Sequence, residues 1–185
     1  MKPPARRRRF LPGDPDPRRR LEQMIRVDHA GEYGAKRIYD GQLKVLARSP
    51  VAPVIREMAR QEEEHLAAFD ALLPRRRVRP TLLHPVWHAA GFALGAATAL
   101  LGERAAMACT VAVEEVIDEH YARQAAELGA DEPELKAMVE EFRGHEIAHR
   151  DTARLHGAEQ AAAYPLLSAA IKGASRLAIW LSERV

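Results

Sequence analysis

The sequence contains two Glu-x-x-His pairs, and their spacing predicts that both face the interior of helices. The first pair, Glu62 and His65, lies in the segment QEEEHLAAF at positions 61–69. Steps of three and four residues define one face of a helix, and here that face carries Val51, Ile55, Met58, Glu62, His65, Phe69 and Leu72. Glu63 and Glu64 fall off this face and are expected to be solvated.

The second pair, Glu146 and His149, repeats the pattern in a later helix. Its face is otherwise apolar and comprises Leu135, Met138, Phe142, Glu146, His149 and Ala153. Burying an unpaired charge costs several kcal/mol, so two inward pairs need a neutralising partner. A metal ion would neutralise them directly, and a network of buried ion pairs is the alternative.

An acidic residue lies upstream of each pair at a similar distance. Glu32 precedes Glu62 by 30 residues, and Glu114 precedes Glu146 by 32. If turns lie near residues 49 and 130, all of these side chains are about 16 residues from a turn, or roughly 24 Å along a helix. Antiparallel helices would then present them in one layer. Glu114 is preferred to its neighbour Glu115 because the positions on its helical face are more apolar.

Proline, glycine and capping residues divide the chain into helices that could position this layer. No segment shows the alternating, β-branched pattern of a strand. The predicted helices cover about 17–48, 50–73, 84–101, 103–128, 132–156 and 165 to near the C-terminus. Asp131 is predicted to cap the fifth helix, and PRRRVRP at 74–80 is predicted to be a linker. The fold expected is all-α, a four-helix bundle with two additional apolar or amphipathic helices.

Length and composition fit one domain of this kind. The 185 residues are 47% apolar and only 5% aromatic, as aliphatic helix packing favours. Residues 1–16 are expected to be a basic disordered tail, either attracted to anionic lipid or simply solubilising, and 17–185 the helical domain. A net charge of +2 is too near neutral to favour nucleic acid. The single cysteine, Cys109, excludes an internal disulfide and fits a reducing compartment.

The four glutamates and two histidines match the ligand pattern of ferritin-like bundles that hold two iron or two manganese ions. Carboxylates can bridge two cations while each histidine gives one metal a nitrogen donor, a set that suits iron or manganese better than zinc. The predicted metal ligands are Glu32, Glu62, His65, Glu114, Glu146 and His149. Such a centre can bind and activate dioxygen.

Four segments resemble the demethoxyubiquinone hydroxylases, membrane-associated di-iron monooxygenases of ubiquinone biosynthesis: HAGEYGA at 29–35, EEEHL at 62–66, ACTVAVEEVIDEHY at 108–121 and GHEIAHRD at 144–151. The resemblance covers about residues 21–185 and places that family's ligands on the six residues above. It implies two iron ions (Fe2+/Fe3+), O2 as co-substrate and electrons from NADH. The implied reaction hydroxylates the ring of a polyprenyl methoxy-benzoquinone, demethoxyubiquinone, to give demethylubiquinone.

His120 and Tyr121 are candidate catalytic residues because they follow Glu114 on the same helix. Tyr121 shares the face of Glu114 and could orient the quinone or a ligand, although a core tyrosine fits the spacing equally well. Asp28 and Asp118 are candidates for orienting the ligand histidines, with exposed carboxylates as the ordinary alternative.

Two segments predict contact with a membrane. Residues 80–102 carry no Asp, Glu, Lys or Arg and approach the length of a span, but their Pro, His and Gly favour an interfacial or partly inserted helix. The last helix mixes Lys172 and Arg176 with apolar residues and Trp180. Packing of both helices on the bundle is the alternative. The resemblance implies peripheral attachment to the cytoplasmic face of a bacterial cell membrane, or else to the matrix side of the mitochondrial inner membrane.

The alternative function is that of a ferritin-like ferroxidase or iron-binding protein, which would share the ligands but has no need of the uncharged 80–102 stretch. A metal-free interaction bundle at a membrane is disfavoured by the inward Glu-x-x-His pairs. An accessory lipid-binding or electron-donating protein could dock on an exposed apolar patch. The sequence leaves open the quinone tail length, the electron donor and whether the protein is an oligomer, and no Gly-rich dinucleotide motif follows a strand.

Overall fold

The computed structural model describes residues 16–185, which form six α-helices and one 3-10 helix and, within that range, no strand. The α-helices are α1 (Pro17–Leu46), α2 (Ala52–Arg76), α3 (His84–Leu100), α4 (Glu103–Leu128), α5 (Pro133–Leu155) and α6 (Tyr164–Ser182), with the 3-10 helix at Ala158–Gln160. The all-α prediction is confirmed. The predicted basic tail lies outside the described residues, except for Asp16.

Helices α1, α2, α4 and α5 form a four-helix bundle in which α1 pairs with α2 and α4 with α5. Its core has an apolar cluster at each end. One cluster includes Ile25, Phe69, Leu128, Val139 and Phe142. The other includes Ile55, Met58, Met107, Val111 and Ala153. On each helix the predicted ligands lie between these clusters, so the bundle encloses a polar layer between two apolar ones.

Two helix boundaries follow capping and turn chemistry that the sequence only partly predicts. Helix α1 begins as predicted, because the Asp16 carboxylate accepts a hydrogen bond of 3.0 Å from the backbone N–H of Arg18. Helix α2 begins later than predicted, since Ser49 Oγ accepts from the N–H of Val51 at 3.2 Å and holds a turn there. It also continues through Pro74 to Arg76, so part of the predicted 74–80 linker is helical.

The predicted cap of the fifth helix is wrong. Pro133 occupies the first helical position of α5, which makes Glu132 rather than Asp131 the residue at the cap position. The Glu132 carboxylate makes no capping bond and instead accepts two hydrogen bonds from the Arg76 guanidinium, at 2.7 and 3.2 Å. This ion pair ties the end of α2 to the start of α5.

Helix α3 packs on α1 with the two backbones in contact. A Cβ added at Gly95 would lie 1.9 Å from the carbonyl oxygen of Ile38, and one added at Gly41 would lie 2.2 Å from that of Phe92. Only glycine permits this approach. The uncharged 80–102 stretch is therefore fixed against the bundle along one face of α3.

Helices α3 and α6 leave apolar side chains exposed on the outside of the bundle. The larger ones are Val86, Leu100, Leu101, Leu166, Leu177 and Trp180. Helix α6 packs on α4, where Arg176 pairs with Glu119 at 3.1 Å and Lys172 pairs with Glu115. Within residues 16–185, none of the helices combines the length and hydropathy that crossing a bilayer requires.

Candidate metal centre

Six ionisable side chains meet in the layer between the two apolar clusters, and we call them the ligand layer. Each is at most 3% exposed: Glu32, Glu62, His65, Glu114, Glu146 and His149. Helices α1 and α4 each supply one glutamate, and α2 and α5 each supply a Glu-x-x-His pair. The structure thus brings together every residue predicted as a metal ligand. Glu63 and Glu64 are exposed, and Glu115 is half-buried beside Arg154, as the helical faces predict.

The ligand layer divides into two groups that share two glutamates. One group contains Glu32, Glu62, His65 and Glu146, and the other contains Glu62, Glu114, Glu146 and His149. Within each group, one ligand atom from every residue lies within 4.8 Å of the others. His65 Nδ1 lies 3.2 Å from Glu146 Oε1, and His149 Nδ1 lies 3.2 Å from Glu62 Oε1. Since Glu62 and Glu146 belong to both groups, they are placed to bridge two cations.

Several donor atoms of the ligand layer are buried without a hydrogen-bond partner. Among the described residues, both carboxylate oxygens of Glu62 and of Glu146, one oxygen of Glu114 and Nδ1 of His149 have no hydrogen-bond partner. Buried polar atoms are normally paired, and leaving them unpaired is costly. Hard carboxylate oxygens with one imidazole per group fit two iron or manganese ions. The residues therefore fit the metal pair that the sequence predicts.

Burial and neighbouring charges perturb the pKa of four side chains in the ligand layer: Glu62, His65, Glu114 and Glu146. Burial raises the pKa of Glu62 and Glu114 well above the usual range, and the charge of Glu146 raises both further. Burial lowers the pKa of His65, but the nearby carboxylates of Glu146 and Glu32 outweigh it and raise that pKa to about 9. Burial likewise opposes the nearby histidines, His149 and His65, which lower the pKa of Glu146 to about 2. The metal-free layer therefore retains protons that cations must displace.

Two buried tyrosines hold the glutamates that each belong to one group only. Tyr39 donates its hydroxyl to Glu114 Oε1 at 2.7 Å, and Tyr121 donates to Glu32. Burial, followed by the charge of the bonded glutamate, raises the pKa of both phenols well above 10, so both remain protonated donors. Tyr121 thus contacts a ligand on α1 rather than Glu114 on its own helix. Sequence reasoning gave Tyr39 no role, although it lies seven residues from Glu32 on the same face.

His120 lies in a separate buried network and does not contact the ligand layer. Its Nε2 lies 3.3 Å from Asp28 Oδ1 and 2.8 Å from Gln124 Nε2, and Gln124 Nε2 donates to Asp28 at 2.7 Å. Asp28 lies one turn before Glu32, which explains why it faces His120 instead of a ligand histidine. Burial raises the pKa of Asp28 even though the bond from His120 opposes it.

The residues that orient the ligand histidines differ from those expected. Asp118 pairs with Arg143 at 2.6 Å near the surface, and Asp28 faces His120, so neither contacts a ligand. His149 Nε2 lies 2.6 Å from Gln61 Oε1, and His65 Nε2 lies 2.9 Å from His145 Nδ1. These partners lacked a sequence signal because each lies off the inward face, immediately before a ligand glutamate.

An apolar cleft lies beside the ligand layer, between α3 and α6. It encloses about 180 Å³, and its walls come from α1, α3, α4 and α6. The lining residues are mostly small or aliphatic and include Gly31, Gly34, Ile38, Trp87, Val113, Ile117, Ala174 and Ala178. Gly31 and Val113 directly adjoin Glu32 and Glu114 in sequence. A Cβ added at Gly31 or Gly34 would meet nothing within 4 Å, so both glycines leave open space.

Comparison with known proteins identifies close relatives. A family described as "Ubiquinone biosynthesis protein COQ7" matches residues 19–182. A 3-demethoxyubiquinol 3-hydroxylase of Rhodospirillum rubrum is 60% identical over 176 residues, which cover 95% of this chain and 83% of the relative. The mitochondrial NADPH-dependent 3-demethoxyubiquinone 3-hydroxylase of Homo sapiens is 52% identical, covering 89% and 78%. The mitochondrial 5-demethoxyubiquinone hydroxylase of Saccharomyces cerevisiae is 44% identical, also covering 89% and 78%.

Proposed function

This chain belongs to the COQ7 family of ubiquinone biosynthesis proteins, and we propose that it hydroxylates the ring of a demethoxyubiquinone. The observation that carries the proposal is the adjacency of two features. The ligand layer can hold two cations with shared carboxylates, and an apolar cleft lines the outer side of the turns that bear Glu32 and Glu114. A ring held in that cleft would lie beside a centre able to activate O2.

Two iron ions would be held by the ligand layer, one with Glu32 and His65 and the other with Glu114 and His149. Glu62 and Glu146 would lie between the ions because both groups include them. When bound, the iron pair would supply the reductive activation of O2. The balanced reaction takes a ring C–H, O2, two electrons and two protons, and gives a ring C–OH and water.

The protein's own side chains would position the ligands and exclude water. Tyr39 and Tyr121 donate to Glu114 and Glu32, which restricts how those carboxylates can turn. The apolar clusters at both ends of the layer keep bulk water away from it. We assign Tyr121 a positioning role through Glu32. His120 would act only through its contact with Asp28, one turn from the layer.

The substrate would enter between α3 and α6. The cleft between them is lined mainly by small and aliphatic residues, which suits a quinone ring with a polyprenyl tail. Leu100, Leu166, Leu177 and Trp180 are exposed on these two helices. This apolar face supports peripheral association with a membrane, where a polyprenyl quinone would be dissolved. The same face would suit an accessory protein of the pathway.

The organisms and names of the relatives bear on which membrane the protein would join. The 60% identity to the Rhodospirillum rubrum relative supports the bacterial alternative, for which we propose the cytoplasmic face of the cell membrane. The names of the relatives from Homo sapiens and Dictyostelium discoideum include "mitochondrial", which supports a mitochondrial location as the alternative, with the matrix side of the inner membrane as the proposed site.

Electrons would come from a reduced nicotinamide, directly or through a partner. The family resemblance implies NADH, whereas the names of the Homo sapiens and Dictyostelium discoideum relatives include NADPH dependence. Residues 16–185 contain no strand and hence no dinucleotide-binding βαβ unit. Electrons would therefore arrive by direct contact with the donor, through the quinone itself or through a docked protein. A ferroxidase, the alternative function, would leave the cleft without a role.

Gene deletion followed by mass spectrometry of lipid quinones tests the proposal. We expect a demethoxy precursor to accumulate and the wild-type gene to restore the mature quinone. A gene carrying His149→Ala should not restore it. In vitro, the iron-loaded protein should transfer one labelled atom from ¹⁸O2 into the quinone ring. A deletion strain without the demethoxy precursor would rule out the hydroxylase.

A further inference from the structure

We propose that Gln61 and His145 are positioning residues that turn Nδ1 of each ligand histidine toward the metal pair and make the two metal positions unequal. The inference rests on the proposed function only in requiring metal ions at the ligand layer. It concerns two side chains that contact the ligand histidines from outside, Gln61 on α2 and His145 on α5.

Gln61 determines which nitrogen of His149 carries the proton. His149 Nε2 lies 2.6 Å from the Gln61 carbonyl oxygen, while its Nδ1 lies 3.2 Å from Glu62 Oε1 and 3.3 Å from Glu146 Oε2. A carbonyl oxygen can only accept, so Nε2 must donate. In a neutral imidazole the lone pair then lies on Nδ1, which faces the carboxylates that would share the metals.

The orientation of the Gln61 amide is itself fixed by neighbours on α2. Gln61 Nε2 donates to Glu57 Oε1 at 3.3 Å, and Arg60 holds the same carboxylate with contacts of 2.7 and 3.2 Å. Turning the amide over would place its oxygen against the Glu57 carboxylate and its NH2 against the His149 N–H. Both contacts would be repulsive, so Glu57 keeps the carbonyl oxygen toward His149.

His145 holds the other ligand histidine through a different chemical group. His65 Nε2 lies 2.9 Å from His145 Nδ1, and the two rings are nearly parallel at 5°. His65 Nδ1 lies 3.2 Å from Glu146 Oε1 and 3.3 Å from Glu32 Oε2. When His65 binds a metal through Nδ1, its Nε2–H donates to His145, which must accept on Nδ1 and carry its own proton on Nε2.

The two histidines therefore present the same nitrogen but have different supports. An amide oxygen holds His149, and a half-buried imidazole holds His65. Such outer partners set the basicity and orientation of a ligand histidine, and removing one typically weakens metal binding by roughly 10- to 100-fold. The position served by His149 should thus respond to changes at Gln61 only, and the position served by His65 to changes at His145 only.

Ferrous ion alone is the probe for the first test. Metal-free full-length protein is titrated anaerobically with Fe²⁺, and the Mössbauer spectrum is recorded at full loading. We expect Gln61→Met and His145→Phe each to weaken the binding of one of the two Fe²⁺ ions by roughly 10- to 100-fold. Each variant should also change one of the two quadrupole doublets in the spectrum. His145→Gln keeps an acceptor and should bind both ions as the wild type does. Glu141→Met, an exposed change on α5, is the matched control.

A second measurement needs no metal, and its main result comes from the wild type. The ¹⁵N NMR spectrum of the metal-free wild type should show neutral His149 protonated on Nε2. Gln61→Met should mix the two tautomers. A wild type with the proton on Nδ1, or Gln61→Met and His145→Phe that bind both ions with unchanged affinity and spectrum, would overturn the inference. A wild type that binds fewer than two ions but has the predicted tautomer would instead count against the proposed function.

Discussion

The bundle interior and the outer face of α3 and α6 reverse the usual distribution of polarity. At the centre, carboxylate oxygens of Glu62 and Glu146 are buried without partners among the described residues. On the outer face, Leu100, Leu166 and Trp180 are exposed. Each arrangement is unfavourable in water, and each indicates a ligand that the protein does not itself supply. Cations would satisfy the interior, and lipid or an apolar partner would cover the face.

The apolar cleft is where the two regions meet. Its walls include the outer side of the helical turns that carry Glu32 and Glu114, together with α3 and α6, the two helices that carry the exposed apolar residues. Helix α1 contributes to both regions, because it presents Glu32 to the ligand layer and Gly31 and Gly34 to the cleft. Separating the two regions by mutation should therefore separate metal binding from substrate binding.

The largest effect is expected in the interior. His149→Ala should lower turnover of a demethoxyubiquinone by roughly two orders of magnitude or more, because one metal position loses its nitrogen donor. Circular dichroism should remain largely helical. Glu64→Ala is the control. This exposed residue directly precedes His65 on α2, and its replacement should retain activity. Retained turnover in His149→Ala would mean that the ligand set is wrong.

A change in the cleft should affect the substrate and leave the metals in place. Gly34→Leu would project into the open space at that position, so we expect KM for the quinone to rise by roughly tenfold. Gly173→Leu, at an exposed glycine in α6 with similarly open surroundings, gains the same helix propensity and is the matched control. Equal KM in the two variants, with equal iron content, would show that the ring binds elsewhere.

The outer face should govern association with lipid. Leu177→Ser with Trp180→Ser removes two exposed apolar side chains from α6. Partial burial of such side chains is worth about 0.5 kcal/mol each, so partitioning onto vesicles of polyprenyl-quinone-containing phospholipid should fall by roughly fivefold. Turnover of a short-chain soluble quinone should be unchanged. Unaltered vesicle binding would move the membrane contact away from α6.

The smallest effect is a pH dependence of the metal-free protein. Folding raises the pKa of Glu62 and Glu114 above 4.5 and that of His65 from 6.5 to about 9. The folded state thus holds more protons than the unfolded state between about pH 5 and pH 9, and its stability falls as pH rises through that window. We expect Tm to drop by a few degrees from pH 5.5 to 8.5. Fe²⁺ should reverse the trend, because cations bind the deprotonated ligands.

Much of the interior could be predicted because helical periodicity is a local property. The steps of three and four that include Glu62 and His65 distinguish them from Glu63 and Glu64, and the structure buries the first two and exposes the others. Matching distances from two turns also placed the acids of α1 and α4 at the same height. These arguments depend on helix geometry alone, which the sequence specifies well.

The contacts between helices could not be predicted in the same way. Tyr121 lies on the face of Glu114 yet donates to Glu32, because its partner depends on how far α4 is rotated against α1. Gln61 and His145 lie off the inward faces and gave no signal of a role beside the histidines. Polar side chains that meet only through tertiary packing leave no periodic pattern in the sequence.

Iron content per chain tests the central claim most directly. Metal-free wild-type protein would be loaded with Fe²⁺ without oxygen, desalted and analysed for iron and protein. Because the ligand layer forms two groups that share Glu62 and Glu146, we predict about two iron ions per chain, with a Glu62→Gln, Glu146→Gln double variant holding few or none. Less than about one iron per wild-type chain would contradict the account.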